Sequence, residues 1–218
     1  MHKVVEVEMG ADLLAANRRI AEENLALLRS HGIRSFDLVG SIGSGKTLLV
    51  ERMIPVLKAQ GLRPAAIAGD VAGDDDYRRY LAHDIPVLNI NTGKECHLDA
   101  HLVDHALEAL PLSEIDLLFV ENVGNLVCPG DFPLGTEMRV VVISVTEGDD
   151  MVRKHPLIFT TSDVVVINKI DLAEVIEVDP QVLVRDAKRV NPRAQVLLTD
   201  AKHGVGIEAL LGAMGLGE

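Results

Sequence analysis

The sequence predicts an α/β fold, a mostly parallel sheet covered by helices on both faces and preceded by an N-terminal helix. Three observations predict it. Short runs at 35–39, 65–68, 87–90, 117–120, 140–145, 164–167 and 195–198 are mostly apolar at positions facing both ways, as strands buried on both faces are. Segments of helical length lie between most of these runs, among them 46–60, 98–110 and 182–190, giving the strand–helix alternation of a parallel sheet. The chain has 218 residues, an ordinary size for one α/β domain. One domain is therefore expected over 1–218, with residues 1–33 as a helical extension packed on it.

Taken in order, residues 9–31 read as a helix, with Leu13, Leu14, Ile20, Leu27 and Leu28 spaced among polar positions. Gly32 follows as a natural stop. Strand and helix then alternate to the end of the chain, broken by one long loop at 124–137 that is rich in Pro and Gly. Loops of that length often carry function. No repeat or low-complexity tract interrupts the pattern. With 48% apolar residues the chain can fill a core, which excludes disorder. A net charge of −12 argues against a nucleic-acid partner or an anionic membrane surface. Glu6, Glu8 and Asp12 interrupt any signal-like stretch, and no apolar run has the length to span a bilayer. A cytoplasmic protein is expected. Its two cysteines, Cys96 and Cys128, read as free thiols in a reducing compartment.

The strongest local signal is Gly40-Ser41-Ile42-Gly43-Ser44-Gly45-Lys46-Thr47, which fits G-x-x-x-x-G-K-S/T. It follows the strand run Phe36-Asp37-Leu38-Val39 and opens a helix, the context this phosphate-binding motif needs. Its glycines let backbone N–H groups wrap a β-phosphate. Lys46 neutralises β- and γ-oxygens, and the Thr47 hydroxyl suits Mg²⁺. The fold is thus a P-loop NTPase. Asn168-Lys169-Ile170-Asp171 chooses the base. A carboxylate at Asp171 accepts from the ring N–H and exocyclic amine of guanine, a donor pair adenine lacks. The Lys169 stem covers the base, and Asn168 braces the P-loop. Thr199-Asp200-Ala201-Lys202 resembles the last base-contacting loop of GTPases, bringing in Ala201 and Lys202.

Acidic positions stand between these motifs. Asp70 and Glu121 end strand runs, and a carboxylate at a strand end beside the P-loop strand can hold Mg²⁺. Gly124 is placed to offer its N–H to the γ-phosphate. No glutamine occupies the position that orients water in small regulatory GTPases, so Asp70 or Asp75 is expected to do so. Asp74 and Asp76 read as solvated acids at a helix N-terminus.

Cys96-His97 and Cys128 form a second constellation. Both segments follow strand ends on the P-loop edge of a parallel sheet. Two thiolates and an imidazole suit Zn²⁺ or Ni²⁺ with one position open. Spacing alone leaves a metal site and ordinary structural residues both open. His97, His101 and His105 recur at i, i+4 and i+8, which places them on one helical face. They read either as an extension of the metal site or as ordinary surface imidazoles.

Together the P-loop, Cys96-His97, the run Glu121-Asn122-Val123-Gly124-Asn125-Leu126-Val127-Cys128-Pro129 and Asn168–Asp171 resemble the HypB family of hydrogenase nickel-incorporation GTPases, from residue 10 onward. The resemblance implies a SIMIBI-class GTPase that binds GTP or GDP with Mg²⁺, forms a homodimer and binds Ni²⁺ or Zn²⁺ through Cys96, His97 and Cys128. It implies Lys46, Thr47, Asp70, Asp75 and Glu121 around phosphate and Mg²⁺, with Asn168, Lys169 and Asp171 on guanine. Lys154 resembles a lysine that reaches the nucleotide of the other subunit. The implied partners are the small metallochaperone HypA and the hydrogenase large subunit. The sequence lacks the N-terminal C-x-x-C-G-C run and histidine-rich tail of many bacterial members, so only the GTPase-domain metal site is expected. Rivals are the urease GTPase, whose Cys-Pro-His motif is not found here, a cobalamin-linked GTPase, or a metal-binding module on a P-loop scaffold.

Overall fold

In the computed structural model, which describes residues 2–217 with side chains from Asp12 onward, the elements alternate along the chain. They run α1 (His2–Ser30), β1 (Arg34–Gly40), α2 (Lys46–Ala59), β2 (Pro64–Asp70), α3 (Asp75–Leu81), β3 (Val87–Asn91), α4 (Ala100–Ala109) and β4 (Leu117–Glu121). There follow β5 (Met138–Ser144), α5 (Met151–Lys154), α6 (Pro156–Thr160), β6 (Val164–Asn168), α7 (Pro180–Val190), β7 (Gln195–Leu198) and α8 (Ile207–Ala213). The seven strands make one sheet in the order β3-β2-β4-β1-β5-β6-β7. Every pairing is parallel.

That order puts β1 between β4 and β5, where the chain changes the direction in which it builds the sheet. Ligands of open α/β sheets bind outside the carboxyl ends of the strands at such a point. Here the last residues of β1, β2, β4, β5 and β6 are Gly40, Asp70, Glu121, Ser144 and Asn168. The register aligns Glu121 with Leu38 and with Ala68, Gly40 with Val142, and Ser144 with Asn168. One edge of the sheet therefore gathers the polar residues that end otherwise apolar strands.

The core has two layers because both faces of the sheet are apolar. One face carries Phe36, Leu38, Phe119, Val142 and Val166 against Leu49, Met53, Ile54 and Leu57 of α2 and Leu210 of α8. Phe36 and Phe119 stack at 5.7 Å between centroids. The other face divides. Ile67, Leu118 and Val120 meet Leu28, Val103 and Leu107 of α1 and α4, while Val141, Ile143 and Val165 meet Phe159 and Leu183 of α6 and α7. The second face also holds a buried ion pair, Asp37 with Arg139 at 3.0 Å. Burial pushes the Asp37 carboxyl up and Arg139 opposes it. Arg139 also donates to Thr161 Oγ1 and to the Phe132 carbonyl, so the pair anchors the base of the loop after β4.

The N-terminal helix starts earlier than the apolar spacing indicates, at His2, and Gly32 follows it at φ 70°. α4 is shorter than expected. It begins at Ala100 because the Asp99 side chain caps it, accepting from Leu102 N at 2.8 Å. Among the described residues no helix is long and apolar enough to cross a membrane.

Candidate functional site

The P-loop leaves β1 at Gly40 and enters α2 at Lys46. Gly43 and Gly45 have φ of 74° and 100°, a region that side chains disfavour. Gly45 has a second reason to be glycine, since a Cβ there would stand 2.4 Å from Asn168 Nδ2. That amide donates to the Ser44 carbonyl at 2.9 Å. Its oxygen accepts from Thr199 Oγ1 at 3.0 Å and Ala201 N at 3.1 Å. Asn168 thus joins the phosphate loop to both loops expected at the base. Lys169 adopts the left-handed conformation at φ 62°. Asp171 is exposed and makes no side-chain hydrogen bond among the described residues. It lies beside Asp200 and His203, the three offering ligand-type atoms within 4.8 Å of one another. His203 occupies the Asp200 carboxylate at 2.5 Å, leaving Asp171 as the open acceptor.

The phosphate end is a cleft of ≈ 520 Å³ walled by Lys46, Thr47, Asp70, Asp75, Asp76, Glu121 and Gly124, among others. Lys46 Nζ lies on the carbonyls of Gly40 at 3.3 Å and Ser41 at 3.2 Å. Burial pushes its pKa down, and Glu121 and Asp76 oppose that. A phosphate dianion would restore full charge to it. The Ser44 hydroxyl is buried without a hydrogen-bond partner, as fits a loop built to bind an anion.

The Thr47 hydroxyl reaches Asp76 Oδ1 at 2.8 Å and Glu121 Oε1 at 2.9 Å. A hydroxyl and two carboxylates converging at a P-loop form a hard-oxygen set that fits Mg²⁺. This corrects the expectation that Asp76 is merely a solvated acid. α3 begins at Asp75, and helical phase puts Asp76 and Tyr80, four residues on, on one face toward Glu121. Asp75, the expected residue, is exposed at the cleft wall. Asp74 does pair in solvent, with Arg78 at 2.8 Å. Asp70 turns onto its own loop, its Oδ1 accepting from Val71 N at 2.6 Å. The sequence reading also missed Tyr80, whose buried hydroxyl donates to Glu121 Oε2. Burial pushes the Glu121 carboxyl up, while Lys46, Tyr80 and Thr47 pull it down.

Beyond β4 the chain crosses the P-loop. Asn125 N donates to Gly40 O at 2.9 Å. A Cβ on Gly124 would meet Ile42 Cγ1 at 2.4 Å and Ile42 N at 3.0 Å, so only glycine permits this approach. The Asn125 side chain then donates to Cys96 O at 3.2 Å. Here the second constellation comes together. Cys96, His97 and Cys128 present ligand atoms that all lie within 4.8 Å. The two sulfurs are 2.7 Å apart, and both thiols are free. Cys96 Sγ is 3.8 Å from His97 Nδ1. The Cys128 thiol, as hydrogen-bond partner, pushes Cys96 up. Partial burial pushes His97 down, favouring the neutral imidazole, which is the ligand form. Soft sulfur with imidazole fits Ni²⁺ or Zn²⁺. The His97 ring also packs on Phe132 at 4.2 Å.

The expected stripe of three histidines does not form. His97 precedes the capped start of α4, so only His101 and His105 share a face, their rings 4.4 Å apart. Lys154 pairs with Asp150 of its own chain at 2.6 Å and does not line this cleft. Lys202 is exposed beyond Ala201, with its carbonyl bonded to Arg52 at 2.7 Å.

Residues 35–198 match the family described as CobW/HypB/UreG, nucleotide-binding domain. The probable hydrogenase maturation factor HypB of Methanocaldococcus jannaschii is 54% identical over 211 residues, covering 97% of this chain and 95% of that protein. The crystal structure of hydrogenase maturation factor HypB from Archaeoglobus fulgidus superposes with a TM-score of 0.84 at 48% identity, over 91% of this chain and 96% of that one. That of HypB from Helicobacter pylori in complex with nickel gives 0.85 at 31% identity, over 90% and 92%.

Proposed function

The chain belongs to the CobW/HypB/UreG nucleotide-binding family, and from that premise we propose that it is a GTP-hydrolysing metallochaperone that assists nickel insertion into nickel–iron hydrogenase. The observation that carries this reading is the tie between its two sites. Asn125 bonds through its backbone to Gly40 of the P-loop and through its side chain to the Cys96 carbonyl.

The residues divide the work as follows. The Gly40–Thr47 backbone and Lys46 hold the phosphates, and Lys46 stabilises charge on the transferring phosphoryl group. Thr47, Glu121 and Asp76 would hold Mg²⁺, which supplies positive charge to the β- and γ-oxygens. Asp70 and Asp75 both line the cleft, and one of them would orient the attacking water. Asp171 reads guanine, Lys169 covers it, and Asn168 and Ala201 fix the loops beneath it. Nickel or zinc is the cargo of Cys96, His97 and Cys128. Lys154 would complete the nucleotide site of the partner in a homodimer. HypA and the hydrogenase large subunit are the partners this reading requires, and the cytoplasm is its compartment.

The test is a nickel titration with GDP and with a non-hydrolysable GTP analogue. The two affinities should differ by a coupling of about 1–3 kcal/mol, and linkage demands that nickel shift nucleotide affinity by the same factor. Cys128→Ala should abolish the difference and leave GTP binding nearly intact. Equal nickel affinities in the two states would remove the switch from this account. Equal competition by ATP would remove the GTPase assignment.

A further inference from the structure

Two asparagines of α1 are buried, Asn17 at 6% and Asn24 at 0% exposure. An amide has no place in an apolar interface unless it is hydrogen-bonded, and these two are bonded to backbone far away in sequence. Asn17 Oδ1 accepts from Ala100 N at 2.8 Å, and Asn17 Nδ2 donates to Pro133 O at 2.9 Å. Asn24 Nδ2 donates to Ala100 O at 2.8 Å and to Leu134 O at 3.0 Å. Seven residues apart on one helix, they share a face. Each amide therefore holds the same two segments.

Those segments carry the three soft ligands. Ala100 opens α4 three residues after His97, and its N–H is one of the first-turn donors a helix leaves without an internal partner. Pro133 and Leu134 follow Cys128 in the loop after β4. Phe132, next to Pro133, packs on the His97 ring. The helix also lies close against this loop. A Cβ on Gly135 would stand 2.2 Å from Ala21 O and 2.6 Å from Asn24 Cβ. The Cys96-His97 turn and the Cys128 loop, already joined by the Asn125 bond to Cys96 O, are thus also held in place by one helix outside both.

We propose that Asn17 and Asn24 are positioning residues of the Cys96–His97–Cys128 metal site, and that α1 is a structural part of that site. The inference rests on the metal-binding reading above. Neither residue touches the ligands. They act by fixing the two backbone segments from which the ligands project, one step further out than the partners that bond a ligand directly.

The test uses the full chain and Ni²⁺ alone, titrated against a chromophoric chelator, with GDP affinity and thermal unfolding measured on the same samples. Asn17→Ala and Asn24→Ala should each weaken Ni²⁺ binding by up to about tenfold, the low end of what losing a direct outer-shell partner costs, since they act through backbone rather than on a ligand. GDP affinity should stay within about twofold, because no bond from either residue reaches the nucleotide loops. Leu28→Ala supplies the control. Leu28 is fully buried on the same helix and makes no polar contact with the ligand segments, so it should lower stability and leave Ni²⁺ affinity near wild type. Unchanged Ni²⁺ affinity in a folded asparagine variant would overturn the proposal. So would an equal loss in Leu28→Ala, which would mean that helix docking in general, not the amides, governs the site. If Asn24→Ala does not fold, Asn17→Ala decides alone. Nickel binding by the wild type that survives loss of both cysteines would instead refute the metal-site reading, and this inference with it.

Discussion

Replacing Tyr80 by Phe removes one oxygen and leaves the ring in place. In the native chain that hydroxyl donates to Glu121 Oε2, while Thr47 serves Oε1. Glu121 is 3% exposed and Tyr80 0%, so water cannot replace the lost donor. Leaving a buried acceptor unsatisfied costs about 1–3 kcal/mol, more for a charged group, which for a chain of this size lowers Tm by about 2–12 °C. The loss should depend on pH. Burial already pushes the folded Glu121 carboxyl up, and the Tyr80 bond is among the groups that pull it back. Tyr80→Phe therefore raises the folded value further. A carboxyl held above its unfolded value contributes stability at low pH and loses it as pH rises past the unfolded value toward the folded one. The difference between variant and wild type should thus be small near about pH 4 and grow toward neutrality. Urea unfolding at several pH values measures it without nucleotide. A pH-independent difference, or none, would refute the view that Tyr80 serves the charged form of Glu121.

Three further outcomes are expected. Asp171→Asn should weaken guanine nucleotide binding by more than about tenfold, since a charged bidentate acceptor is lost, as competition against a fluorescent GDP analogue would report. Gly124→Ala should cost about 1–3 kcal/mol by overpacking against Ile42, and GDP affinity should fall with stability because the P-loop itself must move. Lys154→Ala should leave the monomer as stable as wild type within about 0.5 kcal/mol, because its pair with Asp150 is exposed. If Lys154 acts across a dimer, GTP turnover should fall while the monomer's unfolding is unchanged, and unaltered turnover in a protein that stays monomeric with GTP bound would rule that role out.

All seven strands were legible in the sequence, the five inner ones because burial on both faces leaves mostly apolar runs and the edge strands β3 and β7 because their runs are still largely apolar, and the ends lie within a residue or two of the expected ones. The P-loop was legible because it is contiguous. Asp76 was not, because its role depends on where α3 begins, and one residue turns a helix by about 100°. Nothing in the sequence marked Tyr80, because only the phase of that helix places its hydroxyl on Glu121. Asp37 sat within an apparently apolar run, and nothing local pointed to Arg139 as its partner. Asn17 and Asn24 gave no signal, since sequence periodicity counts apolar residues and cannot see an amide bonded to a distant backbone. The approach of Cys96 to Cys128 required two strand ends to converge, which the expected sheet suggested but spacing could not measure.

The Gly40 carbonyl oxygen accepts from Asn125 N and from Lys46 Nζ. A carbonyl oxygen has two lone pairs, and here each has its own claimant, one from the loop that leads to Cys128 and one from the lysine of the phosphate loop. That oxygen is thus bonded both by the phosphate-loop lysine and by Asn125, whose side chain in turn bonds the Cys96 carbonyl. An ammonium drawn away to a phosphate would leave Asn125 as the sole donor to that oxygen, and the bond that changes belongs to the residue that also holds the Cys96 carbonyl. At the end of β1 itself a side chain is excluded, since a Cβ on Gly40 would stand 2.1 Å from Val142 O.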